Sequence, residues 1–147
     1  MDRKQFIEMC DTKLKLVRME ASFTQEKMSV IIGISKKTLV EIEKGRSSLG
    51  WAGSVALCSI FCDSNVILSA FGGKSLDIIH LLAFNESEPQ YPKTGGGKIW
   101  WQTVMENESY IMQQNIVSQH YRILTIDGKR LASSINLEDL TAIFTGK

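Results

Sequence analysis

Residues 23–46, FTQEKMSVIIGISKKTLVEIEKGR, determine how the first half of this chain folds. Apolar residues recur at three- and four-residue spacing on both sides of Gly33, a pattern that predicts two short helices joined by a tight turn. Gly33 can supply the positive backbone dihedral that such a turn demands, and Thr24 and Ser35 can cap the two helices. The second helix is then held by its apolar face alone, and its polar, basic face stays free.

The same spacing continues from about Arg3 to Phe84, interrupted by short Gly or Ser punctuation, and indicates an all-α domain over residues 1–84. The expected helices are 4–21, 24–31, 35–44, 50–62, 65–70 and 75–84. Residues 85–98 then contain both prolines of the chain and three consecutive glycines. Because the interior of a helix or strand does not tolerate that composition, we interpret residues 85–98 as a linker.

Residues 99–147 change to a β-type pattern rich in β-branched and aromatic residues. The expected strands are 99–105, 110–117, 120–126 and 129–133, with Asp127-Gly128 as a hairpin turn. Asn136 followed by Asp139 can cap a closing helix over 137–144. Its apolar residues form one stripe: Leu137, Leu140, Ile143 and Phe144. The fold class is therefore α+β, a helical bundle followed by a small antiparallel sheet with one helix on its face.

The composition of the 147 residues, 44% hydrophobic and 22% charged, is that of an ordinary soluble globular chain. No stretch approaches the roughly 20 apolar residues that span a bilayer, and the N-terminal residues lack a signal-peptide core, so we expect a cytoplasmic protein without a membrane partner. Cys10, Cys58 and Cys62 cannot all pair within one chain. With no four-ligand cluster, we expect reduced, mostly buried thiols and neither a metal nor a cofactor.

Charge is distributed unevenly along the chain. Residues 1–75 carry 11 basic and 8 acidic side chains, whereas residues 76–147 carry 6 and 8. The excess of positive charge is concentrated in residues 13–46, which hold 8 basic and 4 acidic side chains. Such a segment suits a polyanionic partner, although a solvated charged face explains the same count.

The spacing from Thr24-Gln25 through Gly33-Ile34-Ser35 to Ile42-Glu43-Lys44-Gly45 resembles the Cro and cI-type helix-turn-helix family, also called the XRE family. The resemblance covers about residues 10–62. It implies a lambda-repressor-like helical bundle and a sequence-specific transcriptional regulator of double-stranded DNA. It also implies binding as a homodimer with helix 35–44 in the major groove, and repression by occluding a promoter is the expected action.

The resemblance assigns roles to individual residues. Base contacts are implied for four positions on helix 35–44, Lys36, Lys37, Val40 and Glu41. Phosphate contacts are implied for three polar positions, Gln25, Thr38 and Arg46, and Gln25 is also implied to brace helix 35–44. Lysines can reach guanine O6 and N7, Glu41 can accept from cytosine N4, and Val40 can touch a thymine methyl group. Arg18 and Glu43 match a partly buried ion pair between the first and third helices.

The chain also departs from the family pattern. Ser29 stands where a small alanine normally packs, and it fits if its hydroxyl bonds back to the preceding turn. The proline that usually precedes the fourth helix is missing, and Gly50, Gly53 and Ser54 weaken that helix. Since the family often dimerises through this region, the segment that dimerises is left open.

Several alternatives to these interpretations stand. The C-terminal module of residues 99–147 could pair protomers or bind a small effector. The protein could also be an antitoxin or phage-type autoregulator whose C-terminal module binds a partner protein. Trp100-Trp101 is a candidate interface, because in a strand the two rings point to opposite faces. Cys58 and Cys62, one helical turn apart, suit either redox sensing or a buried core face. We expect no catalytic residues and no enzyme activity, since neither His80 nor His120 has a partner at catalytic spacing.

Overall fold

The computed structural model describes residues 1–84 and 100–146 and has the expected α+β layout. The chain divides into two compact units between Tyr91 and Pro92, and each unit has its own hydrophobic core. The first unit is helical, and the second contains a sheet and one helix. The linker predicted over 85–98 lies outside the described residues.

All six helices predicted for the first unit are present: α1 Arg3–Glu20, α2 Gln25–Ile32, α3 Lys36–Glu43, α4 Gly50–Ile60, α5 Asn65–Phe71 and α6 Ser75–Phe84. The largest difference from the prediction is the end of α4, which stops before Cys62. In the described part of the chain no single helix has both the length and the apolarity to cross a membrane. Among the described helices, α5 and α6 reach that length and apolarity when they are taken together, but the pair is bent by 51° at the break between them.

The first core is built around α1. A capping box begins this helix, because the Asp2 carboxylate accepts the Gln5 N–H at 2.8 Å and Gln5 Oε1 accepts the Asp2 N–H at 2.9 Å. The buried face of α1 consists of residues at three- and four-residue spacing: Phe6, Cys10, Leu14 and Val17. Buried residues from the other five helices complete the core: Met28, Ile32, Leu39, Ile42, Leu57, Cys58, Ile67 and Ile79.

The buried thiols are Cys10 and Cys58, whose Sγ atoms lie 3.6 Å apart, whereas Cys62 is exposed. The expectation that Cys58 and Cys62 share the core face of one helix is therefore wrong, because α4 ends at Ile60 and the chain turns. The contact with Cys58, together with burial, raises the pKa of the Cys10 thiol. A buried neutral thiol reacts slowly, since the thiolate is the nucleophile.

We therefore expect one fast-reacting thiol when the native protein is treated with a disulfide reagent such as DTNB. Cys62 should react at once, and the two buried thiols should react only as the helical unit opens. The matched control is Cys62→Ser, which should abolish the fast phase without changing the slow one. Two fast thiols in the native protein would contradict the buried Cys10–Cys58 contact.

The second unit is a four-stranded antiparallel sheet in the order β1-β2-β3-β4, followed by one helix. The elements are β1 Trp101–Glu106, β2 Tyr110–Asn115, β3 Tyr121–Thr125, β4 Arg130–Ser134 and α7 Leu137–Phe144. Met112 and Ile123 point from the central strands to Leu140 and Phe144 of α7, and these four residues form the second core. One face of the sheet is thus covered by α7.

Two details of α7 differ from the sequence prediction. Asn136 occupies the N-cap position, but its side chain makes no capping bond. Ser134 acts in its place, because its hydroxyl donates to the Asp139 carboxylate at 2.6 Å and accepts the Asn136 N–H at 3.1 Å. The apolar stripe is also narrower than predicted. Leu137 and Ile143 are 37% and 44% exposed, since this short helix meets the sheet only along the line from Leu140 to Phe144.

Candidate nucleic-acid interface

The turn between α2 and α3 has the predicted geometry. Thr24 Oγ1 accepts the Lys27 N–H at 3.1 Å, and Ser35 Oγ accepts the Thr38 N–H at 3.0 Å, so both predicted caps are confirmed. Gly33 adopts φ 86°, and its N–H donates to the Ser29 carbonyl at 2.9 Å. A Cβ at Gly33 would meet no atom within 4 Å, so the left-handed backbone, and not crowding, is the reason for glycine there.

α3 is held by two buried residues, Leu39 and Ile42. Met28 and Ser29 of α2 are buried in the same unit. The Ser29 hydroxyl donates to the Glu26 carbonyl at 2.7 Å, so it bonds back to the preceding turn as expected. The embedded face of α3 therefore fixes the helix, and its opposite face is available for contacts.

Three of the predicted base-contact residues, Lys37, Val40 and Glu41, lie on that opposite face, and Lys36 is the first residue of α3. Lys36 and Lys37 are exposed, and Val40 and Glu41 are half-buried. Lys37, Val40, Glu41 and Lys44 follow each other at the three- and four-residue spacing of one helix face. Within residues 1–84 the structure shows no ion pair for Lys36, Lys37 or Lys44. No carboxylate among these described residues therefore neutralises their charges.

The predicted phosphate-contact residues lie at the two ends of the same region. The Thr38 hydroxyl accepts from Ser35 Oγ at 2.8 Å, so its own proton is available to a phosphate oxygen. Arg46 is exposed just beyond α3, and its backbone N–H donates to the Glu41 carbonyl at 2.8 Å. Gln25 is the first residue of α2. Lys27 is also exposed, and its Nζ lies 4.3 Å from the centre of the Phe23 ring. It is a further cation of this region that was not among the predicted contact residues.

An ion pair and an amide connect α1, α2 and α3. The expected pair of Arg18 and Glu43 is present, with Arg18 Nε 2.6 Å from Glu43 Oε1 and side chains only 15% and 5% exposed. A second guanidinium nitrogen donates to Glu43 Oε2 at 3.3 Å, and a third donates to the Phe23 carbonyl at 3.1 Å. The Gln25 amide nitrogen also donates to Glu43 Oε2, at 2.7 Å. Gln25 thus braces the end of α3, as the family resemblance implied, although the resemblance did not name Glu43 as its partner.

The same contacts determine the ionisation of Glu43. Burial alone would raise the pKa of this carboxyl, but the hydrogen bonds from Arg18 and Gln25 and the charges of Arg18 and Lys15 outweigh it. The pKa of Glu43 therefore lies below its ordinary value. The charged Glu43 carboxylate therefore connects α3 to the two preceding helices.

The candidate interface Trp100-Trp101 belongs to the second unit. Trp100 is exposed just before β1, and Trp101 is half-buried at the first position of β1. Trp101 pairs with Asn115 of β2. Side chains alternate between the two faces along β2, and Met112 faces α7, so Asn115 faces the other way. The Trp101 ring therefore lies on the sheet face opposite α7. Neither tryptophan belongs to the described core between the sheet and α7.

Comparison of the chain with models of known protein families, with curated protein sequences and with solved structures gave no match. Among the described residues no group of three or more His, Cys, Asp or Glu side chains is arranged to hold a metal ion. The features of the helical unit that bear on function are therefore the geometry of α2 and α3 and the contacts that hold them.

Proposed function

We propose that this protein is a sequence-specific DNA-binding transcriptional regulator of the helix-turn-helix type. The observation that carries the proposal is the combination at α3 of a rigidly held helix and a free cationic face. Leu39, Ile42 and the bonded group of Arg18, Gln25 and Glu43 fix the helix, while Lys36 and Lys37 have no carboxylate partner within residues 1–84. An α-helix of about 10–12 Å diameter fits the major groove, which is about 12 Å wide.

In the proposed complex, the residues of α3 divide between reading bases and holding the backbone. Lys36 and Lys37 donate to guanine O6 and N7, Glu41 accepts from cytosine N4, and Val40 contacts a thymine methyl group. Gln25, Thr38 and Arg46 lie at the flanks and contact phosphates, which position the protein without specifying sequence. Gln25 has both a bracing and a binding role, since its amide nitrogen already bonds Glu43.

We propose further that the protein acts as a homodimer and represses transcription by occupying a promoter. One recognition helix of this length reaches only a few base pairs, so two half-sites are needed for high specificity. Two recognition helices then enter successive major grooves, about 34–36 Å apart. A compact protein that covers its operator needs no further activity to block a polymerase.

Replacing Arg46 with alanine tests the phosphate contacts. The variant should bind all duplexes more weakly, and the slope of log affinity against log salt should fall by about one unit, since one fewer counterion is released. Fluorescence anisotropy with a labelled duplex at several salt concentrations measures both quantities.

The matched control for Arg46→Ala is Lys74→Ala, which removes an exposed charge from the turn between α5 and α6. This control should leave the slope unchanged. If the native protein shows no salt-dependent binding to any duplex, the proposed function is wrong. If the native protein binds in a salt-dependent way but Arg46→Ala shows the same slope, Arg46 does not contact a phosphate, and the proposed function still stands.

A further inference from the structure

The core of the helical unit contains two thiols that come from different helices. Cys10 lies on the buried face of α1 and Cys58 on that of α4, and their Sγ atoms are 3.6 Å apart. A disulfide holds its sulfur atoms about 2.05 Å apart, so the two Sγ atoms must approach by roughly 1.5 Å to form one. Rotation about the two Cα–Cβ bonds moves both Sγ atoms and can supply that distance. The third thiol, Cys62, is exposed beyond the end of α4 and lies outside this pair.

The two thiols of the pair differ in acidity. The contact with Cys58 and burial raise the pKa of the Cys10 thiol. The contact with Cys10 lowers the pKa of the Cys58 thiol more than burial raises it, and the Ser75 hydroxyl lowers that pKa further. Because the thiolate is the form that attacks a disulfide, Cys58 is the group that reacts first with an oxidant of that class. When the Cys58 sulfur becomes part of a mixed disulfide it can no longer ionise, so the cause that raises the pKa of Cys10 most is removed.

Several features weaken α4, the helix that carries Cys58. Leu49 occupies its N-cap position without a side-chain capping bond, and Gly53 lies in its interior, where glycine is a poor helix former. The Ser54 side chain is fully buried, and its hydroxyl has no hydrogen-bond partner among the described residues. A buried polar group without a partner costs stability. We therefore expect α4 to open locally before the whole unit unfolds, and such opening exposes Cys58 to solvent.

We propose that Cys10 and Cys58 form a reversible disulfide that joins α1 to α4, by exchange with a low-molecular-weight disulfide that enters when α4 opens. In the first step, the Cys58 thiolate attacks one sulfur of the reagent, whose S–S bond breaks, and one thiolate leaves while a mixed disulfide forms on Cys58. In the second step, Cys58 returns towards Cys10 as α4 closes. Cys10 then loses its proton and attacks the Cys58 Sγ, and the second thiolate leaves. The two leaving thiolates take up the two protons that Cys58 and Cys10 lose, so the protein is oxidised by two electrons and the reagent is reduced to two thiols.

The disulfide should stabilise the helical unit. It joins residues 48 positions apart in the chain, and a link across such a long loop restricts the unfolded chain. Oxidation should therefore raise the midpoint of thermal unfolding of this unit by about 5 °C or more. Both thiols lie in the core and not on the exposed face of α3, so the disulfide can be tested without DNA.

The test uses the full-length protein with Cys62→Ser, in which Cys10 and Cys58 are the only thiols left. The protein is equilibrated with mixtures of reduced and oxidised glutathione, quenched with acid, alkylated and digested with trypsin without reduction. Trypsin places Cys10 in residues 5–13 and Cys58 in residues 47–74, so the disulfide appears as these two peptides joined. We expect the joined fraction, measured by mass spectrometry, to rise with the proportion of oxidised glutathione. It should disappear when reduced glutathione is added back.

Two further variants in the same background separate the two steps. Cys10→Ala removes the second step, so the glutathione mixed disulfide of Cys58 should accumulate about tenfold or more above its level in the protein that retains Cys10. This variant should show no rise in the thermal midpoint. Ser54→Ala removes the unpartnered hydroxyl and strengthens α4, so it should slow disulfide formation about threefold or more.

Two results would overturn the disulfide. One is the absence of joined peptides at every glutathione ratio, and the other is a glutathione adduct of Cys58 as the end product while Cys10 is present. Equal rates of disulfide formation with and without Ser54→Ala would overturn access through α4.

Discussion

Replacing Arg18 with alanine is expected to destabilise the helical unit by about 3 kcal/mol or more. The change leaves the Glu43 carboxylate, only 5% exposed, with the Gln25 amide as its remaining described partner. Removing one member of a buried ion pair costs about 3–5 kcal/mol, because the other charge stays desolvated without compensation. Urea unfolding followed by circular dichroism measures the free energy of unfolding directly.

The matched control for Arg18→Ala is Lys129→Ala, which breaks an exposed pair with Asp127 at 3.8 Å. That loss should be under about 1 kcal/mol, because water and salt already screen both charges. Equal losses in the two variants would contradict the view that the Arg18–Glu43 pair holds α3 in place.

Acid should weaken the contacts that Glu43 makes with Arg18 and Gln25. Because the folded pKa of Glu43 lies below its ordinary value, its stabilising contribution is present above that ordinary value and is lost as the pH falls through the folded pKa. Glu43→Gln removes the titrating group, so the free energy of unfolding of this variant should fall less steeply with acid than that of the native protein. Parallel pH profiles would contradict this assignment.

Replacing Lys37 with alanine is expected to cost about 1–3 kcal/mol of binding at one base position and to relax the preference there. Lys37 is exposed on the free face of α3, and among residues 1–84 it forms no ion pair. The variant should therefore fold as the native protein does. Binding to a set of duplexes that differ at single positions measures the change.

The comparison for Lys37→Ala is Arg46→Ala, which removes the same charge but should weaken every duplex by a similar factor. If Lys37→Ala also weakens all duplexes uniformly, Lys37 contacts the backbone and not a base. This contrast separates the residues that specify a sequence from those that only position the protein.

The helical elements could be predicted from the sequence because their signals are local. Thr24, Gly33 and Ser35 mark the ends of α2 and α3 within four residues of the bonds they make, and the helix periodicity fixes which side of α3 is buried. The Cys58–Cys62 prediction was wrong because α4 ends at Ile60, before Cys62. The partner of Cys58 is Cys10, and that contact exists only after α1 packs on α4.

The candidate site was likewise predicted only in part. The Arg18–Glu43 pair and a bracing role for Gln25 were both expected from a family resemblance. The partner of Gln25 was not, because Gln25 and Glu43 lie on different helices and no spacing rule joins them. In the sheet, the tandem tryptophans were visible in the sequence. Their surroundings depend on a register that shifts between Thr103 and Met105, so the stacking of Arg122 on Trp101 could not be read from alternation alone.

Selection of fragments bound by the full-length protein from genomic DNA, followed by sequencing, tests the central claim most directly. The account predicts enrichment of a short sequence present as two half-sites related by a two-fold axis, with centres about one helical turn or a multiple of it apart. Selection with Lys37→Ala should lose information at one position in each half-site. Recovery of fragments with no shared sequence, or the same sequence with the same information from the variant, would contradict sequence reading by α3.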